Sequence, residues 1–101
     1  MIAEYLQKNY SSDISLALLS RVFHLNEHYI SRVFKEETGE NFLSYLNRIR
    51  IEEAKKLLLE SDKRYMRLLR RLFQSSVNFN YVFNRFAGIS PKMFREQFGK
   101  K

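Results

Sequence analysis

The stretch from Ser15 to Gly39 reads SLALLSRVFHLNEHYISRVFKEETG, and its reading decides the fold. Apolar residues recur at helical spacing in two runs. Leu16, Leu19, Ser20 and Phe23 share one face of the first, and Tyr29, Ile30, Val33 and Phe34 share one face of the second. Ser15 and Asn26 stand just ahead of these runs. Either side chain can accept from the free amides of a first helical turn, so each predicts an N-cap. Gly39 follows Lys35-Glu36-Glu37-Thr38 and predicts a left-handed stop. Short helix, tight turn, second helix and glycine are the grammar of a helix-turn-helix.

The grammar occurs twice. Val33-Phe34 and Val82-Phe83 lie 49 residues apart, as do Gly39 and Gly88, Leu19 and Leu68, and Tyr45 and Phe94. An offset kept at four places argues for a duplicated unit. Before the first unit, Ile2, Tyr5, Leu6 and Asn9 predict a short helix. Between the units, Phe42, Leu46, Ile49, Ala54, Leu57 and Leu58 predict a long helix from about Asn41 to Leu59. A fifth helix is expected over about Lys63–Leu72, with Tyr65, Leu68, Leu69 and Leu72 inward. A sixth is expected from about Ser76 to Phe86 on Phe79, Val82, Phe83 and Phe86. Ser90-Pro91 places a cap before a proline at the first helical position, opening a seventh helix with Phe94 and Phe98. The expected fold is all-α: about seven helices in two helix-turn-helix units, residues 1–40 and 63–101, with a linker helix and connection at 41–62.

Composition bounds the function. The 101 residues suffice for one domain or two very small ones, and 45% hydrophobic content is too high for a disordered tail. With no cysteine, thiolate metal sites and disulfides are excluded, and two histidines, His24 and His28, cannot form a zinc site alone. No apolar run predicts a membrane span or a signal peptide, so a cytoplasmic protein is expected. The net charge of +7 favours a polyanionic partner. It is unevenly spread: residues 1–62 balance to −2 and residues 63–101 to +9.

Ser15–Lys35 closely resembles the first helix-turn-helix of the AraC/XylS family of transcription regulators. Tyr45–Leu58, YLNRIRIEEAKKLL, resembles that family's linker helix, and Gly88-Ile89-Ser90-Pro91-Lys92-Met93-Phe94-Arg95 its closing signature. The resemblance covers nearly the whole chain. It implies that the second helix of each unit enters a major groove of duplex DNA. By family position His28, Ser31 and Arg32 then face base edges in the first unit, and Ser76, Asn78, Asn80 and Tyr81 in the second. Arg32 suits a bidentate contact to guanine. Asn26, Lys35, Asn84 and Arg85 fall near phosphates, which position without specifying. A linker helix of about 18 residues spans about 27 Å, which suits recognition helices near one DNA turn of about 34 Å apart. The resemblance also implies RNA polymerase as a partner and a separate N-terminal sensing or receiver domain. No cofactor is implied.

The second unit departs from the family pattern. A small residue at the helix crossing is replaced by Leu69, the turn glycine before Phe73 is missing, the unit is one residue shorter, and Tyr81 stands where the family has arginine. Codons for Tyr65–Leu72 can be written that, read two bases later, give Tyr-Glu-Ile-Ala-Glu-Glu-Val, the family's own sequence. A short compensated frameshift would account for the segment and would make Arg67, Arg70 and Arg71 accidental; codons incompatible with the second frame exclude it.

Catalysis finds no support: no phosphate loop, metal cluster or nucleophile motif is present. The adjacent pairs Glu36/Glu37 and Glu52/Glu53 are expected to be solvated charges. Two alternatives stay open. One is a degenerate domain that folds but serves as a protein-interaction or structural module. The other is a cationic amphipathic membrane-surface module built on Arg64, Arg67, Arg70 and Arg71, which leaves Gly88–Arg95 unexplained.

Overall fold

The computed structural model describes residues 2–60 and 63–99, and the side chain of Tyr65, expected on an inner face, lies outside the described residues. Among the described residues there are seven helices and no strand. They are α1 (Ile2–Asn9), α2 (Leu16–Phe23), α3 (Glu27–Thr38), α4 (Phe42–Glu60), α5 (Lys63–Leu72), α6 (Ser76–Ala87) and α7 (Pro91–Phe98). The chain forms two compact units, one up to Asn47 and one from Arg48. The boundary lies inside α4, so the connecting segment is divided between them.

In the first unit α2 packs on α3. Its core is mainly aliphatic: Leu6, Ile14, Leu19, Ile30, Phe34 and Leu46 are buried. The Phe34 ring meets Tyr45 edge-on at 5.0 Å between centroids, and Tyr5 meets Phe23 at 5.5 Å. The second unit is built differently. Its buried residues include Ile51, Ala54, Leu57, Leu58, Met66, Leu69, Phe73, Phe79 and Phe83. Phenylalanine rings follow one another through it: Phe73–Phe79 at 5.6 Å, Phe79–Phe83 at 5.9 Å and Phe83–Phe94 at 5.7 Å. Such aromatic pairs add about 0.5–1.5 kcal/mol each beyond the area they bury.

The helix ends follow the expected chemistry. Ser15 Oγ accepts from the Leu18 amide, Asn26 Oδ1 from His28 and Tyr29, and Ser90 Oγ from Met93. Gly39 and Gly88 close α3 and α6 at φ of 82° and 85°. A Cβ built at either glycine meets nothing within 4 Å. The positive φ, rather than a shortage of space, is what calls for glycine there.

Expected inner faces are corrected on four helices, α3, α5, α6 and α7. Tyr29 is 46% exposed. It precedes the buried Ile30 by one residue, about 100° round the helix, so only Ile30 and Phe34 can point fully inward. On α5 the buried residues are Met66 and Leu69, followed by Phe73 just past the helix end, while Leu68 and Leu72 are half-buried. Buried Leu19 is therefore answered by Leu69, 50 residues on, although Ile30/Phe79 and Phe34/Phe83 keep the offset of 49. The second turn is thus one residue shorter between its buried anchors. At the chain's far end Phe86 and Phe98 are exposed.

The two turns close by different bonds. In the first, His24 takes the left-handed conformation at φ 56°. The His24 and Leu25 amides both donate to the Ser20 carbonyl, and Ser20 Oγ donates to the Leu25 carbonyl. In the second, the left-handed residue is Gln74, at φ 73°. The Phe73 amide still continues the helix to Leu69 O, and the Gln74 amide reaches Arg71 O. Asn78 Nδ2 then donates to the Phe73 carbonyl at 2.6 Å, closing the turn with a side chain. Ser75 caps α6 by accepting from Asn78 N.

Candidate nucleic-acid interface

Helices α3 and α6 are held by the same two positions, Ile30 and Phe34 in one, Phe79 and Phe83 in the other. With these turned inward at i and i+4, the opposite face of each helix is left to solvent. On α3 that face carries His28, Arg32 and Lys35, all exposed, with Ser31 half-buried. Asn26, His28 and Ser31 come together, with Glu27, Leu16 and Ser20, around an open cleft of about 370 Å³. Arg32 stands apart from that cleft. Its guanidinium lies over the Tyr29 ring, 5.6 Å from the centroid, within the range of a cation–π contact.

The capping bond gives Asn26 two ends with different duties. Its Oδ1 is taken by the amides of His28 at 2.8 Å and Tyr29 at 3.4 Å. That fixes the amide so that Nδ2 is the atom left to donate outward, the polarity a phosphate requires.

On α6 the outward face carries Ser76, Val77, Asn80, Tyr81, Asn84 and Arg85, all exposed. Asn80, Tyr81, Asn84 and Arg85 line an open cleft of about 450 Å³, completed by Ser90, Pro91 and Lys92 at the start of α7. Ser76 and Asn78 do not line it. Asn78 is exposed, but its amide nitrogen is committed to the Phe73 carbonyl. That bond holds the amide in one orientation and takes one of its two N–H groups, leaving Oδ1 and a single N–H.

Sequence reasoning missed three residues of these surfaces. Tyr29 was assigned to the interior from its spacing with Val33. Lys92 escaped because Pro91 was read only as a helix start, yet it faces the cleft beside Arg85. Val77, 79% exposed, has the largest exposure among the big apolar side chains of the described residues. The signal for it was available: Val77 stands 49 residues after His28. The pairs Glu52/Glu53, read as solvated, find lysine partners on α4, Lys55 at 3.0 Å and Lys56 at 3.8 Å. Exposed pairs of this kind contribute little. Among the described residues no three His, Cys, Asp or Glu side chains group to hold a metal ion, and no helix is long and apolar enough to cross a membrane.

Comparison with known proteins places this geometry. A family model described as "Helix-turn-helix domain" matches residues 19–97. The chain is 31% identical over 97 residues to the HTH-type transcriptional regulator YtdP of Bacillus subtilis, covering 95% of this chain and 13% of that protein. It is 27% identical over 100 residues to the raffinose operon transcriptional regulatory protein RafR of Pediococcus pentosaceus, covering 98% of this chain and 36% of that one. It thus spans well under half the length of these curated relatives. Among solved structures it is similar to the C-terminal domain of AraT, a response regulator from Geobacillus stearothermophilus. There the TM-score is 0.88 at 28% identity, over 98% of this chain and 84% of that one. The C-terminal domain of the two-component response regulator yesN from Fusobacterium nucleatum gives a TM-score of 0.80 at 31% identity, over 91% of each chain.

Proposed function

The chain belongs to the AraC-type helix-turn-helix family of DNA-binding transcription-regulator domains, and from that premise we propose that it binds duplex DNA sequence-specifically, with α3 and α6 each lying in a major groove. One observation carries the reading. Both helices are pinned by two buried side chains, capped by a polar residue and stopped by glycine, and both turn a polar face outward onto an open cleft. A helix so held offers a fixed set of side chains to base edges.

In this reading His28, Ser31 and Arg32 contact bases from α3, and Ser76, Asn80 and Tyr81 from α6. Asn78 contributes through its carbonyl oxygen. Asn26, Lys35, Asn84 and Arg85 take phosphates, joined by Lys92. Arg32 is the guanine reader, with the Tyr29 ring limiting the rotamers it must give up on binding. No chemistry on the DNA is involved. The domain acts in the cytoplasm as part of a longer regulator with a sensing or receiver domain, and RNA polymerase is its partner at the promoter.

Selection of bound duplexes from a random pool, followed by gel-shift titration of the selected and a scrambled duplex, tests this. A specificity ratio of at least about 10³ is expected at physiological salt. Equal affinity for both duplexes refutes sequence-specific reading. Retention of neither supports an interaction module instead.

A further inference from the structure

Between Ser76 and Asn84 the sequence SVNFNYVFN contains no charged residue. Phe79 and Phe83 are consumed by the core, and Asn78 is tethered to its own turn by one amide N–H. Beside Ser76 and Asn84, what this uncharged stretch offers outward is the Asn80 amide with two large exposed side chains, Val77 at 79% and Tyr81 at 62% exposure. Val77 and Tyr81 are four residues apart, one above the other on the helix face. Between Ser76 and Asn84 the face lacks what reads a G·C pair: no arginine or lysine for guanine O6 and N7, no carboxylate for cytosine N4; the first cation, Arg85, stands in the last turn of the helix, lining the same cleft as Lys92. The Asn80 amide matches the N6 donor and N7 acceptor of adenine, and the apolar groups match the thymine 5-methyl.

We infer that α6 selects A·T pairs, Asn80 reading an adenine and Val77 with Tyr81 packing on thymine methyls. The α3 face, with Arg32, selects at least one G·C pair. The composite site is thus asymmetric in base composition as well as in sequence. This rests on the proposed major-groove reading and names the bases that one half of it takes. The exposure of Val77 supports it further. A valine there contributes nothing to the core, and its apolar surface is dehydrated only when something covers it.

The test uses the intact chain and duplexes selected from a random pool. The half-site belonging to α3 is identified as the one whose preference relaxes in Arg32→Ala. In the other half, each thymine is replaced by deoxyuracil, which removes only the 5-methyl group. Loss of about three- to fivefold in affinity is expected at one or two positions, the worth of a single buried methyl. Val77→Ala should erase that sensitivity at one position while leaving α3-side preferences intact. Because Val77 is outside the core, the variant keeps its melting temperature, which is measured alongside. Tight selective binding with G·C pairs in the α6 half, or with no response to deoxyuracil, overturns the inference and leaves the proposed function standing. Failure to enrich any duplex overturns both.

Discussion

The two helix-turn-helix units anchor their second helix at equivalent positions by different internal means. The first unit is an aliphatic core with one inward ring on α3, and its turn is closed by backbone amides and a serine hydroxyl. The second is a run of phenylalanine rings, with a turn shorter by one residue and closed by the Asn78 side chain. Ile30 and Phe34 nonetheless find their counterparts in Phe79 and Phe83 at one constant offset. The spacing of the two buried anchors on the outward-facing helix is therefore what the two units share. The scaffold beneath it is free to vary so long as it presents two buried anchors.

The largest effect that can test this contrast lies in the cores. Phe83→Ala should destabilise the protein by about 3–5 kcal/mol in urea unfolding. Phe83→Leu should cost about 1 kcal/mol more than Phe34→Leu, because Phe83 touches two rings, Phe79 and Phe94, and Phe34 touches Tyr45. Equal costs for the two leucine variants would erase the distinction between an aromatic and an aliphatic core.

Next in size is the division of base reading. Arg32→Ala should weaken specific binding by about 1–3 kcal/mol and relax one base position. Adding Ser31→Ala should collapse most of the specificity ratio. The pair Asn80→Ala/Tyr81→Ala should cost less, since a neutral amide and an apolar contact hold more weakly than the charge-assisted bonds of a bidentate guanidinium. A larger loss from the second pair would make the second unit the dominant reader.

A smaller effect separates the turns. Gln74→Gly places glycine where the backbone already sits at φ 73°, and should stabilise by about 0.5–1 kcal/mol in thermal or urea unfolding. His24→Gly, at φ 56°, should give a similar gain. If Gln74→Gly destabilises, the turn is held by the glutamine side chain and not merely tolerated by it. The smallest effect is in salt dependence. Lys35→Ala and Arg85→Ala should each weaken all sequences alike and flatten the log–log salt slope by about one unit. A change in base preference from either would move that residue from phosphate to base.

Much of the fold was legible because its signals are local. Ser15, Asn26, Ser90-Pro91, Gly39 and Gly88 act within one turn of themselves, and all five behave as their chemistry dictates. The register of α5 was not legible, because it depends on which turn residue adopts a positive φ. With no glycine in that turn, nothing in the sequence marks Gln74, and the 49-residue offset from Leu19 falls on Leu68, one position short of the buried Leu69. Tyr29 misled for a related reason. Its spacing to Val33 fits an inner face, but with Ile30 and Phe34 taken as anchors it falls at the edge, where an aromatic ring is half wetted. Of the interface, the charged and amide residues could be listed by position, whereas Val77 was passed over because apolar side chains are read first as core. Codon inspection across Tyr65–Leu72 bears on the remaining oddity, the arginines of α5, independently of any binding experiment.

The separation of buried anchors from exposed side chains on α6 has an evolutionary side. Phe79 and Phe83 carry the folding energy of that helix, while Val77, Asn80 and Tyr81 project from its far side, exposed. Substitutions at such exposed sites change stability by no more than about 0.5 kcal/mol. A lineage can therefore rewrite the outward residues one at a time without passing through an unfolded ancestor. Under the proposed function, operator and regulator could then drift together in single steps, each step a viable protein, while the phenylalanines stay put.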